Sequence, residues 1–335
     1  MSSHPDALTL SIALSDNERT RPILEGRFHP QGVRFISTAI HPSEMFWRQL
    51  KYGDFDVSEM SLSSLCIAVS RGDKRWVALP IFTARKHFHT SILVREDSAI
   101  REPRDLHGKR VGVPEYQQTW AVWSRGILQD DFGVDAREIH WFMERGPERS
   151  HGANTGFQPP SGVRLTHIPG TTNIGEMMAQ GELDATLLYL RSGNLVDRSR
   201  VDLENLPGIR TLFDDPTAEG RRFHAHSGIY PINHTVVIRR ELLAQHPWLA
   251  LNIYHAFVQA QRHLQTQTDE MLQDHVATGL LSVEASQQVR QDPKPYGVNA
   301  SRAVLSRLTR YVHEQGLTDR CVGIEELFAP STLDV

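Results

Sequence analysis

The chain is poor in cysteine, in long apolar runs and in the glycine-rich signatures of nucleotide binding. Its two cysteines, Cys66 and Cys321, lie far apart without metal-ligand spacing. That excludes a disulfide framework or a cysteine-built metal site, and predicts buried thiols in a reducing compartment. No segment supplies the roughly 18 uninterrupted apolar residues of a membrane span. No dinucleotide fingerprint, P-loop or paired-cysteine motif occurs, and no fixed period repeats, so neither a cofactor nor a solenoid is expected. A large charge of one sign is missing as well. Thirty-six Lys and Arg against 40 Asp and Glu leave a formal charge of -4, which gives no general attraction to nucleic acid or to an anionic membrane.

The opening stretch, MSSHPDALTLSIALSDNERTR, has no basic n-region, and its apolar positions alternate instead of forming a continuous apolar core. It reads as a first strand and not as a signal peptide, which predicts a cytoplasmic protein. With 335 residues and 39% hydrophobic content the chain is long enough for two cores, because single cores stop growing at roughly 250–300 residues.

What is abundant is histidine, with 17 copies that cluster. Pro80 to Val94, PIFTARKHFHTSILV, opens and closes with strand character and packs Arg85, Lys86, His87 and His89 into its middle. Alternation along an extended chain sends Arg85, His87 and His89 to one face and Lys86 and Phe88 to the other. Fixed positive charge beside imidazoles suits an anionic ligand and proton transfer. A solvated basic edge strand is the plain alternative.

Along the chain, Leu8, Leu10, Ile12 and Leu14 form a strand that delivers Arg19 and Arg21 just past its end, where open α/β sheets bind ligands. Ser61 to Ser64 open a helix, so Ser63 and Ser64 stand beside free amide donors, although capping alone explains one of the serines. Arg110 to Val113 is a buried strand, and the turn after it brings Glu115, Tyr116, Gln117, Thr119 and Trp120 to the same ligand edge. Trp120 and Trp123 fit a packed core better than a stacking platform, with Trp120 nearer the cleft. Glu144 to Gly162, rich in Gly, Pro, Asn and Ser, reads as a long mobile loop. Glu182 to Leu190 feeds a strand, and Asn194 to Glu219 is irregular. His224 to Arg239 is a second extended stretch carrying His226, Tyr230, Asn233 and His234. Helical periodicity follows to the end.

Two strand-rich lobes joined by two polar-centred crossings predict a hinged α/β molecule. Residues 1–86 with 236–335 form one lobe, 87–235 the inserted other, and the cleft lies where the crossings meet.

Several segments extend this reading. DLHGKRVGVPEYQQTWAVWSRGIL (Asp105 to Leu128), GELDATLLY (Gly181 to Tyr189) and IYPINHTVVIRREL (Ile229 to Leu242), with ARKHFHTSI (Ala84 to Ile92) and PYGVNASRAVL (Pro295 to Leu305), resemble the 4,5-dihydroxyphthalate decarboxylase family. That family is built on the type 2 periplasmic binding protein fold. The resemblance implies an α/β, two-lobed architecture with two crossing strands and a central cleft. It also implies a carbon-carbon lyase that works without a cofactor on a small aromatic carboxylate. Such chemistry protonates the ring carbon bearing the carboxylate, so that the ring expels carbon dioxide. His87, His89 and His234 are then candidate acids or phenol bases, with Glu115 orienting one of them. Arg19 and Arg85 suit the carboxylates. Ser63, Ser64, Tyr116, Gln117, Thr119, Trp120, Tyr230 and Asn233 line the substrate. Two alternatives stand beside this reading: a zinc or manganese site built from the histidines, and a non-catalytic binder of a small anion. Metal-free chemistry is preferred, and a homo-oligomer is an open case.

Overall fold

The computed structural model describes residues 7–191 and 193–335, so the first six residues of the N-terminal stretch lie outside it. The alternating run at the start is β1 (Leu8–Leu14), which buries Leu10, Ile12 and Leu14. There follow α1 (Arg21–Leu24), β2 (Val33–Ala39), α2 (Pro42–Tyr52), β3 (Val57–Ser61), α3 (Leu62–Ser70) and β4 (Trp76–Arg85). A 3-10 turn at Phe88–Ser91 carries the chain into β5 (Leu93–Arg95), β6 (Arg110–Val113), α4 (Thr119–Phe132), β7 (His140–Met143), α5 (His151–Thr155), β8 (Arg164–His167), α6 (Ile174–Gln180), β9 (Ala185–Thr186), β10 (Ile209–Thr211) and α7 (Pro216–Ser227). The chain returns as β11 (Ile232–Arg239) and ends in α8 (Arg240–Gln245), α9 (Leu249–Ala277), α10 (Val283–Val289), α11 (Val298–Glu314) and α12 (Ile324–Leu327).

The described strands make two sheets, ordered β2-β1-β3-β11-β4 and β10-β5-β9-β6-β7-β8. In the first, β1 runs parallel to β2 and β3, while β11 inserts antiparallel between β3 and β4, with Val237 opposite Ser58 and Ala78. β11 therefore belongs to the first sheet from Ile232 onward. In the second sheet β6, β7, β8 and β9 are parallel, the usual result when helices cross over between strands. Residues from both sheets share one large apolar cluster. α4 and α11 pack closely within it: a Cβ on Gly126 would sit 2.3 Å from the Tyr311 ring, so glycine is what allows that approach.

Six expectations change. β4 ends at Arg85, which pairs with Ile232; the next residue on β11's side is Pro231, which has no N–H to extend the ladder, and the chain turns. His87 and His89 therefore do not share a strand face with Arg85. His224 and His226 lie on α7 and not on a strand, because Asp215 caps that helix by accepting from Ala218, Pro216 opens it and Gly228 closes it in the left-handed region. The stretch before it is less irregular than its polarity suggests, since it contributes β10 and the start of α7, while the predicted strand through Leu190 reduces to Ala185–Thr186. Glu144 to Gly162 is no open loop: Ser150 caps α5, and Glu144, Arg145 and His151 are buried. Finally, both thiols are free, but Cys321 is exposed; only Cys66 is buried, and burial pushes its thiol up to about 12.

Candidate active site

His234 lies near the crossing end of the first sheet, two residues inside the start of β11. This residue lies opposite Ser61 of β3 and Ala84 of β4, and the β11–β4 register slips on both sides of it. Such irregularities re-aim a side chain out of the regular alternation. Its Nδ1 lies 3.0 Å from Glu59 Oε2, its Nε2 2.8 Å from Asn233 Nδ2, and its ring meets the Phe46 ring edge-on at 4.7 Å. Glu59 is completely buried and accepts from Ser15 N at 2.7 Å, Ser15 Oγ at 2.6 Å and Thr83 Oγ1 at 2.6 Å. Burial by itself would raise its carboxyl, but the hydrogen bond and charge of His234, with Ser15 and Thr83, outweigh burial and hold it below the usual carboxylate range. An ionised carboxylate only accepts, so Nδ1 of His234 carries the proton.

Beside His234, the N-termini of α3 and α4 face each other from the two sheets. Thr119 Oγ1 lies 2.8 Å from Ser61 Oγ and accepts from Ser63 N at 2.9 Å. Ser63 Oγ donates to Gln117 O at 2.6 Å, and the Gln117 side chain spans Ser64 Oγ at 3.4 Å and Thr155 Oγ1 at 2.9 Å. Ser63, Ser64, Gln117 and Thr119 are all fully buried. The predicted hydroxyl set is thus assembled, with its members satisfying one another between the starts of α3 and α4.

The other two histidines form a separate group. The His87 ring packs tilted against Tyr230, 4.8 Å between ring centres, and lies 6.5 Å from the His89 ring. α7 approaches it so closely that a Cβ on Gly220 would sit 2.7 Å from its Nδ1. Burial, with His89 and His224 adding repulsion, lowers His87 to about 4, so it is neutral at neutral pH. His89 is fully buried with Nε2 2.9 Å from Glu219, which Arg222 also binds. Burial raises the Glu219 carboxyl, but those two partners more than offset it and bring it to about 2. Among the described residues no group of three His, Cys, Asp or Glu side chains is arranged to hold a metal ion.

The arginines are already engaged. Arg19 pairs with Asp292 at 2.6 Å and donates to Lys294 O at 2.8 Å. Arg85 donates to Pro295 O at 2.7 Å, Ser301 Oγ at 2.8 Å and Tyr230 O at 3.3 Å, leaving Nε unpartnered. Both therefore tie the ends of β1 and β4 to the segment before α11. Burial, with Arg19 nearby, brings Arg85 down to about 10. Tyr116 is buried under the Arg125 guanidinium, 3.7 Å from its ring centre. Trp123 is in the core, and Trp120, partly buried, donates to Phe88 O at 3.1 Å.

Glu115 holds none of the three imidazoles. It accepts from Ser150 Oγ at 2.6 Å, His151 N at 2.9 Å and Gly152 N at 3.0 Å, fastening the start of α5. Around it lies a buried clasp missed by the sequence reading. Arg145 pairs with Asp197 at 2.7 Å, donates to Ser43 Oγ at 2.7 Å on α2, and lies 3.6 Å from Glu115. His151 Nε2 is 3.1 Å from Ser43 O, and its ring meets the far side of Phe46 at 5.8 Å. Trp47 Nε1 donates to Glu148 O at 2.9 Å, and Arg71 to Thr155 O. A Gly- and Pro-rich composition gave no hint of this. Glu59 did leave one signal, an acid at an inward position of a buried strand.

No protein-family profile matches the chain. It is 33% identical over 334 residues, 98% of both chains, to a 4,5-dihydroxyphthalate decarboxylase of Comamonas testosteroni. To one of Pseudomonas putida it is 37% identical over 180 residues, 54% of this chain and 70% of the relative. Among solved structures, the alkanesulfonate-binding protein SsuA from Xanthomonas axonopodis pv. citri bound to MOPS superposes with a TM-score of 0.54 at 15% identity, covering 98% and 99% of the two chains. The periplasmic aliphatic sulphonate binding protein SsuA from Escherichia coli gives 0.53 at 15% identity over 97% and 99%. These show the fold, and the full-length likeness shows the family: on a periplasmic-binding-protein scaffold, this chain belongs to the 4,5-dihydroxyphthalate decarboxylase family.

Proposed function

We propose that this protein is a carbon-carbon lyase that converts 4,5-dihydroxyphthalate to 3,4-dihydroxybenzoate and carbon dioxide. The observation that carries the reading is identity along almost the whole length to a relative named for that decarboxylation. His234 serves as proton donor: its imidazolium protonates the ring carbon bearing one carboxylate, the ring–carboxylate bond breaks, its electron pair restores the aromatic ring, and carbon dioxide leaves. The hydroxyl para to that carbon supplies electron density. His234 is preferred to His87, which burial keeps neutral, and to His89, which is sealed against Glu219. The amides and hydroxyls at the starts of α3 and α4 are the proposed carboxylate site, with Asn233 and Tyr230 beside it.

Because those groups are buried against one another, substrate enters when the lobes part. We propose residues 7–86 with 232–335 and residues 87–231 as the moving bodies, with the clasp of Arg145, Asp197 and Ser43 closing them. Two free cysteines suit a cytoplasmic setting. None of the described helices is long and apolar enough to cross a membrane. The test is release of carbon dioxide from 4,5-dihydroxyphthalate by purified protein, with 3,4-dihydroxybenzoate appearing in equal amount. Binding of aromatic acids without release would replace the reading with that of an anion-binding protein.

A further inference from the structure

We propose that Glu59 is the positioning residue of this site, holding the His234 imidazole by Nδ1 so that Nε2 is the nitrogen that carries and returns the catalytic proton. The proposal rests on the decarboxylase reading for its use, but its geometry is independent of it. Glu59 reaches His234 from the neighbouring strand, and its two oxygens are fixed by three donors, Ser15 N, Ser15 Oγ and Thr83 Oγ1. With both oxygens pinned, the carboxylate cannot follow the ring; the ring must follow it. His234 is the basic side chain within ion-pair distance of this completely buried acid among the described residues. A buried carboxylate left without a donor is costly, so Glu59 keeps the proton of the ring on Nδ1. Nε2 then accepts from the Asn233 amide nitrogen at 2.8 Å, and it takes its proton when that amide turns away.

Other groups within electrostatic reach are His41 at the start of α2, which repels a charged His234, and Tyr296 before α11, which faces Glu59. Phe46 separates His234 from His151 and Arg145 behind it. The same acid-imidazole logic, in which the acid sets the tautomer without touching substrate, governs hydrolytic triads.

The experiment is a pH profile of decarboxylation for wild type, Glu59→Gln and Thr83→Val. In Glu59→Gln the amide nitrogen meets Nδ1, which must then accept, so Nε2 becomes the permanent donor. kcat is expected to fall roughly 10²–10⁴-fold with KM nearly unchanged, and the limb set by His234 should move to lower pH by roughly 1–3 units. Thr83→Val removes a hydrogen bond from Oε2 and leaves a stronger proton acceptor, so the limb should move to higher pH. A merely structural role would lower protein yield without opposite shifts, and unmoved limbs in both variants would overturn the proposal. Imidazole nitrogen NMR of wild type, with His234 assigned by its loss in His234→Asn, reads the ring without any assay. A proton on Nδ1 of the neutral ring supports the proposal and one on Nε2 overturns it. A wild type that releases no carbon dioxide sinks the decarboxylase reading, and the spectrum still decides whether Glu59 holds the ring.

Discussion

His234 is held from two strands and a helix: Glu59 on β3, its neighbour Asn233 on β11 and Phe46 on α2. Replacing it with Asn, which hydrogen-bonds but does not titrate, should lower kcat by roughly 10²–10⁴-fold while substrate still binds, as stopped-flow kinetics and binding titration would show. Arg85 calls for a different expectation from the one its charge suggests. Its guanidinium already serves Pro295 and Ser301, so Arg85→Met should lower the melting temperature, because the buried Ser301 hydroxyl loses its partner at about 1–3 kcal/mol and the half-buried Pro295 carbonyl loses its own. A rise in KM at unchanged stability would instead put Arg85 on the substrate. If His87, His89 and His234 act without a metal, dialysis against a chelator should leave the rate unchanged, and recovery by one divalent ion after a loss would favour the metal alternative.

At the scale of elements, capping residues and glycines decide more than composition does. α5 and α7 form inside stretches that look like loop or strand because Ser150 and Asp215 satisfy their first amides. The α4–α11 contact depends on Gly126, whose Cβ position lies within the Tyr311 ring contact. Gly126→Ala should therefore destabilise by about 1–3 kcal/mol through overpacking, despite the higher helix propensity of alanine. Urea denaturation would measure it, and a stability gain would show that the helices can shift apart.

Across the whole molecule, the proposed moving bodies meet where Arg145, paired with Asp197 and Glu115 inside its own body, donates to Ser43 Oγ in the other. Arg145→Met strips Asp197 and Glu115 of their cation, which should cost about 3–5 kcal/mol, and it removes the bond to Ser43, which should enlarge the radius of gyration in solution scattering as the proposed bodies part. His151, in the same clasp, has its proton affinity lowered from 6.5 to about 4, by burial first and then by Arg145. Below pH 6.5 the unfolded chain takes up a proton that the folded one refuses, so the contribution is flat above pH 6.5 and stability falls between 6.5 and about 4. The loss is on the order of 3 kcal/mol. In His151→Gln that slope should be shallower; an unaltered slope would assign the acid sensitivity elsewhere.

From residue order alone came the two-lobed α/β plan, the paired crossings, the hydroxyl-rich helix starts and the family resemblance. Each of these is written in local periodicity, in turn chemistry or in contiguous segments such as IYPINHTVVI. The pairing of partners was decided only by tertiary structure. Glu59 and His234 are 175 positions apart, and Arg145 reaches Ser43 across 102. Arg85, Glu115 and His89 each had a plausible ligand role on their own strand or turn, yet each finds its partners on segments distant in sequence. A buried polar group must be satisfied by whatever the fold brings within 3 Å or so, and that neighbour is set by how strands register and lobes close, which no local pattern encodes.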